Sequence, residues 1–87
     1  MGGSTLNPVD VATQKTVFCE PGPDGTYVEL FVLDGISLTI DTGDLLHPTR
    51  TLIIIEGRRY LPLGTSVQIV PGEDGASVVT TVAVTAK

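Results

Sequence analysis

Three short groups of side chains in this sequence could carry chemistry. The first is Asp41-Thr42-Gly43, which follows an alternating apolar stretch and precedes a second acid, Asp44. Two carboxylates that share one proton can serve as a catalytic acid and base. The second is His47, the only histidine, whose imidazole could titrate near neutral pH. The third is Cys19, the only cysteine, which could be a small buried apolar residue or could join two chains through a disulfide.

The tripeptide Asp41-Thr42-Gly43 resembles the active-site loop of the aspartic proteases, where the same residues follow an apolar strand. The resemblance implies a chain that dimerises, as retroviral members do, to bring two such aspartates together. The rest of the pattern differs. Asp44 stands where Ala or Ser is usual, and neither a glycine-rich flap nor a late apolar-apolar-Gly strand is present. We interpret the motif as a turn that leaves a strand, with a dimeric aspartic protease as an alternative.

The other groups favour structural roles. No nucleophile elbow accompanies His47, so we expect a surface or interface histidine in the loop before Pro48. One Cys excludes an intrachain disulfide, and one Cys with one His cannot supply the four ligands of a structural zinc site. The acids lie mostly in turns and are too sparse for a calcium loop. We therefore expect no catalytic residue, no metal and no cofactor.

Charge and composition exclude several classes of partner. Ten acids against five bases give a net charge of −5, which argues against nucleic acid and anionic lipid. The longest apolar run, Leu52–Ile55, is far too short to span a membrane, and the first five residues lack the features of a signal peptide.

Turn sequences predict the elements. Pro21-Gly-Pro-Asp-Gly25 and Pro71-Gly-Glu-Asp-Gly75 lie between runs rich in Val, Thr and Ile, so each indicates a hairpin bend. Asp34-Gly35 and Glu56-Gly57 are candidate tight turns. No segment has a sustained helical period with caps. The sequence therefore predicts an all-β fold, a small antiparallel sandwich or barrel of six to eight short strands.

Several segments carry specific expectations. The alternation over Ile36–Asp41 predicts a strand after the Asp34-Gly35 turn. The lack of alternation over residues 51–55 predicts a strand covered on both faces. Pro62 is expected to end a strand or to place it at an edge. Residues 1–13 are expected to form a flexible or partner-ordered N-terminal arm, and residues 14–87 a single β domain.

The composition indicates an assembly role. A chain of 87 residues buries only about 60–65% of its unfolded surface, and it has no disulfide or metal to compensate. Charged residues are 17% of the chain and hydrophobic residues 41%, which favours a covered surface. We expect a non-enzymatic structural module that oligomerises and docks on a larger protein shell. The predicted protein interface comprises Leu6, Pro8, Val9, Ile53, Ile55, Arg58, Arg59 and Tyr60.

In type rather than in motif, the chain resembles the small β proteins that cement or decorate tailed-phage heads. That resemblance implies that the arm and one end of the domain contact capsid subunits at a virion surface. Without it the sequence assigns no location, and the cytoplasm is the default expectation. The alternative from another class is a carbohydrate- or peptide-binding β module. Such sites usually present aromatic platforms, and this chain offers two Tyr, two Phe and no Trp.

Overall fold

A computed structural model describes residues 11–87 as five β-strands in one sheet. The strands are β1 (Val11–Pro21), β2 (Tyr27–Asp34), β3 (Ile53–Ile55), β4 (Arg58–Val70) and β5 (Ala76–Ala86), in the spatial order β2-β1-β5-β4-β3. Neighbours run antiparallel except β1 and β5, which are parallel. The sheet curls into a nearly closed, barrel-like form, in which Leu30 of β2 packs with Ile55 and Tyr60 of β3 and β4.

The all-β prediction is confirmed, but the described part of the chain has five strands rather than six to eight. The sheet is also mixed rather than wholly antiparallel, because β1 and β5 run parallel. Strand β1 already begins at Val11, inside the segment that was expected to be an arm. Residues 1–10, and with them most of the predicted arm, lie outside the described residues. Within residues 11–87 no helix is present that could cross a bilayer.

The repeated turns form as predicted. In the first, Gly22 N–H donates to Thr26 O at 2.6 Å, and Gly25 takes a φ of 86°. In the second, Gly75 N–H donates to Gly72 O at 3.3 Å, and Gly75 has a φ of 118°. Each turn joins two antiparallel strands, β1 to β2 and β4 to β5. A side chain with a Cβ adopts such φ values at a cost, which explains the glycines.

The β3–β4 turn also follows the sequence. Glu56 and Gly57 have φ values of 51° and 81°, and they connect Ile55 directly to its cross-strand partner Arg58. Two successive residues with positive φ define the type I′ turn, whose twist matches that of the flanking strands.

The carboxylate of Asp24 is held by the first turn, and this predicts a pH effect. Its Oδ1 accepts bonds from Thr26 Oγ1 at 2.6 Å and from Thr26 N at 3.2 Å, and these bonds lower the pKa of Asp24. Since the folded pKa lies below the unfolded one, the turn gains stability above the unfolded pKa and loses it as pH falls through the folded pKa. We expect Thr26→Val to move the pKa of Asp24 up toward its ordinary value, as measured by a carboxyl NMR titration. An unchanged midpoint would contradict this assignment.

The core lies on the inner face of the curled sheet. Phe18, Tyr60, Val82 and Val84 form its buried cluster, and Tyr60 is only 3% exposed. Alternation explains β5, since Val82 and Val84 point to the same face. Half-buried apolar residues complete the cluster: Leu30, Leu38, Ile40, Ile53 and Ile55.

The predicted strand over Ile36–Asp41 is not a strand. The segment packs on the inner face through Leu38 and Ile40, whereas Ile36 is exposed and the hydroxyl of Ser37 is buried. The alternation therefore agrees with the burial only from Leu38 onward, and it does not indicate strand pairing. The buried hydroxyl of Thr16 replaces a strand partner. It donates to Ile36 O at 2.8 Å and accepts from Leu38 N at 3.0 Å.

Two further expectations need correction. Strand β3 is a three-residue edge strand, and Ile54 is 61% exposed because only the Ile53 and Ile55 side packs inward. The run is therefore not covered on both faces. For Pro62 only the first of the two expected outcomes is wrong, because β4 continues through it. The second is met, since β3 pairs only with residues 58–60 and no described strand covers β4 at Pro62, where the register with β5 shifts. Such a bulge accommodates the missing N–H of proline at a sheet edge.

Candidate interaction surface

The connection between β2 and β3 carries a tight loop of six residues, Gly43–Pro48, here called the Leu loop. Its ends meet in an isolated β-bridge between Gly43 and Pro48. Asp44 N donates to His47 O at 3.0 Å, while Asp44 Oδ1 accepts from Leu46 N at 2.9 Å and from His47 N at 2.6 Å. The imidazole Nδ1 of His47 lies 3.5 Å from the same oxygen. One carboxylate thus holds the backbone of the whole loop, the usual structural use of an aspartate in a turn.

This scaffold presents two leucines to solvent. Leu45 is fully exposed and Leu46 is 85% exposed. The bonds of the Asp44 carboxylate fix the backbone that carries both leucines. Large apolar side chains on a preorganised support are suited to insertion into a partner's pocket, because little ordering entropy is lost on binding.

Gly43 is required by this geometry. Its φ is 66°, and an added Cβ would collide with the backbone at Thr49 N, at His47 O (2.8 Å) and at Pro48 C (2.9 Å). We expect Gly43→Ala to lower the free energy of unfolding by about 2 kcal/mol and to shift the amide resonances of the Leu loop. The matched control is Gly64→Ala, where a Cβ meets nothing within 4 Å. Urea denaturation of both variants measures the difference, and equal stability would show that the loop tolerates another backbone path.

The outer edge of β4 is a second exposed surface. Within residues 11–87, β3 pairs only with Arg58–Tyr60, so no described strand covers this edge beyond Tyr60. After the bulge, Val67 and Ile69 lie opposite Thr80 and Val78 of β5, which places them on the same face as the core. They are nevertheless 59% and 62% exposed. The apolar inner face of the sheet therefore continues along β4 to Val67 and Ile69, which no other described residues cover fully.

A groove of about 410 Å³ lies on the sheet where β1, β4 and β5 meet. Its lining is mostly small: Cys19, Gly64, Thr65, Ser66, Thr81 and Ala83, with Tyr27 at one side. The thiol of Cys19 is buried and donates to Val82 O at 3.7 Å. Burial, and secondarily the nearby charge of Glu29, raises the pKa of Cys19, which keeps the thiol protonated and unreactive.

The described residues of the predicted interface lie together on the β3–β4 hairpin but differ in exposure. Tyr60 is buried in the core, and Ile53 and Ile55 are half-buried against it, whereas Arg58 and Arg59 are exposed at the β3–β4 end. The remaining predicted interface residues, Leu6, Pro8 and Val9, lie outside the described residues.

Asp41 of the protease-like motif is exposed, and its Oδ1 accepts a hydrogen bond from Gly43 N at 2.9 Å. It thus supports the entry into the Leu loop. His47 is exposed on that loop, as expected of a surface histidine. Across the part of the chain that the structure describes, no three His, Cys, Asp or Glu side chains converge as a metal site would require.

Sequence reasoning overlooked Leu45 and Leu46. A signal existed: two large apolar residues stand next to each other inside a stretch that is otherwise turn-forming, between Gly43 and Pro48. Within a turn-forming stretch, such a pair lacks the surrounding apolar residues that would continue it as a strand.

Comparison with known proteins gives no further assignment. No protein-family model matches the sequence, and neither the curated proteins nor the solved structures include a significant match. The functional argument therefore depends on the surface described above.

Proposed function

We propose that this protein is a non-enzymatic structural module that associates with itself and docks on a larger protein assembly. The observation that carries the proposal is the Leu loop, in which Leu45 and Leu46 are held exposed by the bonds of Asp44. A soluble surface rarely presents adjacent exposed leucines on an ordered loop unless a partner covers them. The exposed apolar residues of β4 support the same role.

The assembly is best sought among protein shells. A net charge of −5 disfavours nucleic acid and anionic lipid as partners. An acidic β domain of 87 residues with apolar anchors is suited to sit on the outside of a shell as a cement or decoration protein, at the virion surface. In this proposal the leucines enter an apolar pocket between shell subunits, and the rest of the domain projects outward.

Co-sedimentation with intact tailed-phage heads tests the docking role. We expect the wild type to sediment with the heads and Leu45→Ser/Leu46→Ser to lose most of the bound fraction, because buried anchors dominate interface energies. Ile54→Ser is the matched control, since Ile54 is also exposed but lies on β3. Failure of the wild type to sediment would contradict docking on such shells. Equal binding by the double variant would remove the Leu loop as the anchor.

A carbohydrate- or peptide-binding role is the second candidate, and the groove beside Tyr27 is the observation that favours it. Tyr27 is 62% exposed there and could stack on a sugar ring or a peptide side chain. Since Tyr60 is buried, Tyr27 is the tyrosine available for such a contact. Binding on a glycan or peptide array that disappears in Tyr27→Ala would support this role over the structural one.

A further inference from the structure

The edge of β4 from Leu61 to Val70 differs from an ordinary sheet edge. Its sequence, LPLGTSVQIV, contains no charged residue, and Leu63, Val67, Ile69 and Val70 are exposed. Natural sheets protect such edges with lysines, prolines, bulges or inward charges, because free N–H and C=O groups recruit other strands. Here Pro62 and the bulge protect only the first part. The stretch Gly64–Val70 pairs regularly with β5 and has no protecting device.

The other edge of the sheet is different. Strand β2 carries Glu29 and Asp34, and Leu30 packs toward Ile55 and Tyr60 as the sheet curls. Of the two edges, the uncharged edge of β4 is therefore better suited than the β2 edge to pair with an additional strand.

Charge along β4 indicates which strand would be added. The turn at its C-terminal end carries Glu73 and Asp74, and its N-terminal end carries Arg58 and Arg59. Lys87 lies at the same end, where its N–H donates to Arg59 O at 3.0 Å. Glu20 and Glu56 also lie there, so the three basic side chains exceed the acidic ones by one, and this end is weakly basic. Two copies in antiparallel pairing would place the acidic turn of each next to the basic end of the other. A parallel arrangement would place acid beside acid.

From these features we propose that β4 pairs with β4 of a second copy of this chain, antiparallel about a two-fold axis near Ser66 and Val67. The pairing continues the sheet across the axis. It places Val67 and Ile69 beside residues of the second copy's β4 that lie on the same face of the sheet. A two-fold interface of this kind is self-complementary and closes at two copies. Because the shared strand is uncharged, two chains of net charge −5 meet without burying like charges. The inference rests on the self-association part of the proposed function and identifies its surface.

Cysteine cross-linking of the full chain tests the pairing. Residues at the axis of an antiparallel pair have Cα atoms about 4.5–5.5 Å apart, within the range of a disulfide. We expect Ser66→Cys or Val67→Cys to give a cross-linked dimer under mild oxidation. Val70→Cys is the control, since its two copies would lie about 20 Å apart along the strands. The wild type controls for Cys19, which is buried.

Charge reversal is the second arm, measured by sedimentation equilibrium with circular dichroism to verify folding. Arg58→Glu/Arg59→Glu and, separately, Glu73→Arg/Asp74→Arg should each weaken the dimer about tenfold or more, and all four changes together should restore it. The β4 pairing would be overturned if the dimer formed but no cross-link appeared at residue 66 or 67. It would also be overturned if the four charge changes together did not restore the dimer. Either result would leave self-association by another surface intact. A wild type that is monomeric at every concentration would overturn both. That result would also be obtained if residues 1–10 of the same chain covered the edge.

Discussion

Replacing Tyr60 with alanine is expected to lower the free energy of unfolding by about 4 kcal/mol, the usual cost of truncating a buried aromatic side chain. Tyr60 is 3% exposed and packs with Phe18, Val82 and Val84, so its removal leaves a cavity in the buried cluster. A small domain has a total stability of only about 5–10 kcal/mol, and the variant should be close to unfolding at room temperature.

Tyr27→Ala is the matched control for this prediction, because the same side chain is removed from an exposed position. Its effect should stay within about 0.5 kcal/mol. Urea denaturation followed by circular dichroism measures both variants against the wild type. Similar losses in the two variants would show that the cluster around Tyr60 is not the core.

Thr16→Val is expected to cost about 2–4 kcal/mol although it preserves the shape of the side chain. Thr16 is 0% exposed, and its hydroxyl satisfies both Ile36 O and Leu38 N. Valine would leave Ile36 O and Leu38 N without a hydrogen-bond partner in a partly buried position. Each unsatisfied group lowers the free energy of unfolding by about 1–3 kcal/mol. The segment 36–40 should then detach from the inner face, and the protection of Leu38 N against hydrogen exchange should fall.

The control for Thr16 lies on the same strand. Thr13 Oγ1 donates to Ser77 Oγ at 2.9 Å on the exposed surface, where water can replace the bond. Thr13→Val should therefore change stability little. If Thr16→Val were equally mild, the segment 36–40 would be held by the packing of Leu38 and Ile40 and not by the hydroxyl.

The sequence predicted the local parts of the fold well. Three turns were predicted correctly: residues 21–25, residues 71–75 and Glu56-Gly57. Each depends on the φ values of one or two residues, and these are determined by the local sequence. Segment Ile36–Ile40 was predicted as a strand because alternation reports which side chains are buried. It does not report whether another backbone is available for pairing, and here one threonine hydroxyl takes that place.

Non-local features could not be predicted in the same way. The parallel pairing of β1 with β5 joins residues more than sixty positions apart, such as Phe18 and Val82, and no turn sequence encodes it. The same holds for the surface. Tyr60 is buried and Ile54 is exposed because β3 is a short edge strand. Among residues 11–87, the edge of β4 beyond Tyr60 has no strand partner because β3 pairs with only three residues of β4.

The central claim is that this domain completes the burial of its apolar surface by association. Sedimentation velocity over a wide dilution series of the wild-type chain tests it most directly, with the melting temperature measured at the same concentrations. We predict a mass that rises from the 9.1 kDa of one chain toward twice that value, with a melting temperature that rises alongside it. A constant 9.1 kDa and a melting temperature independent of concentration would contradict the claim.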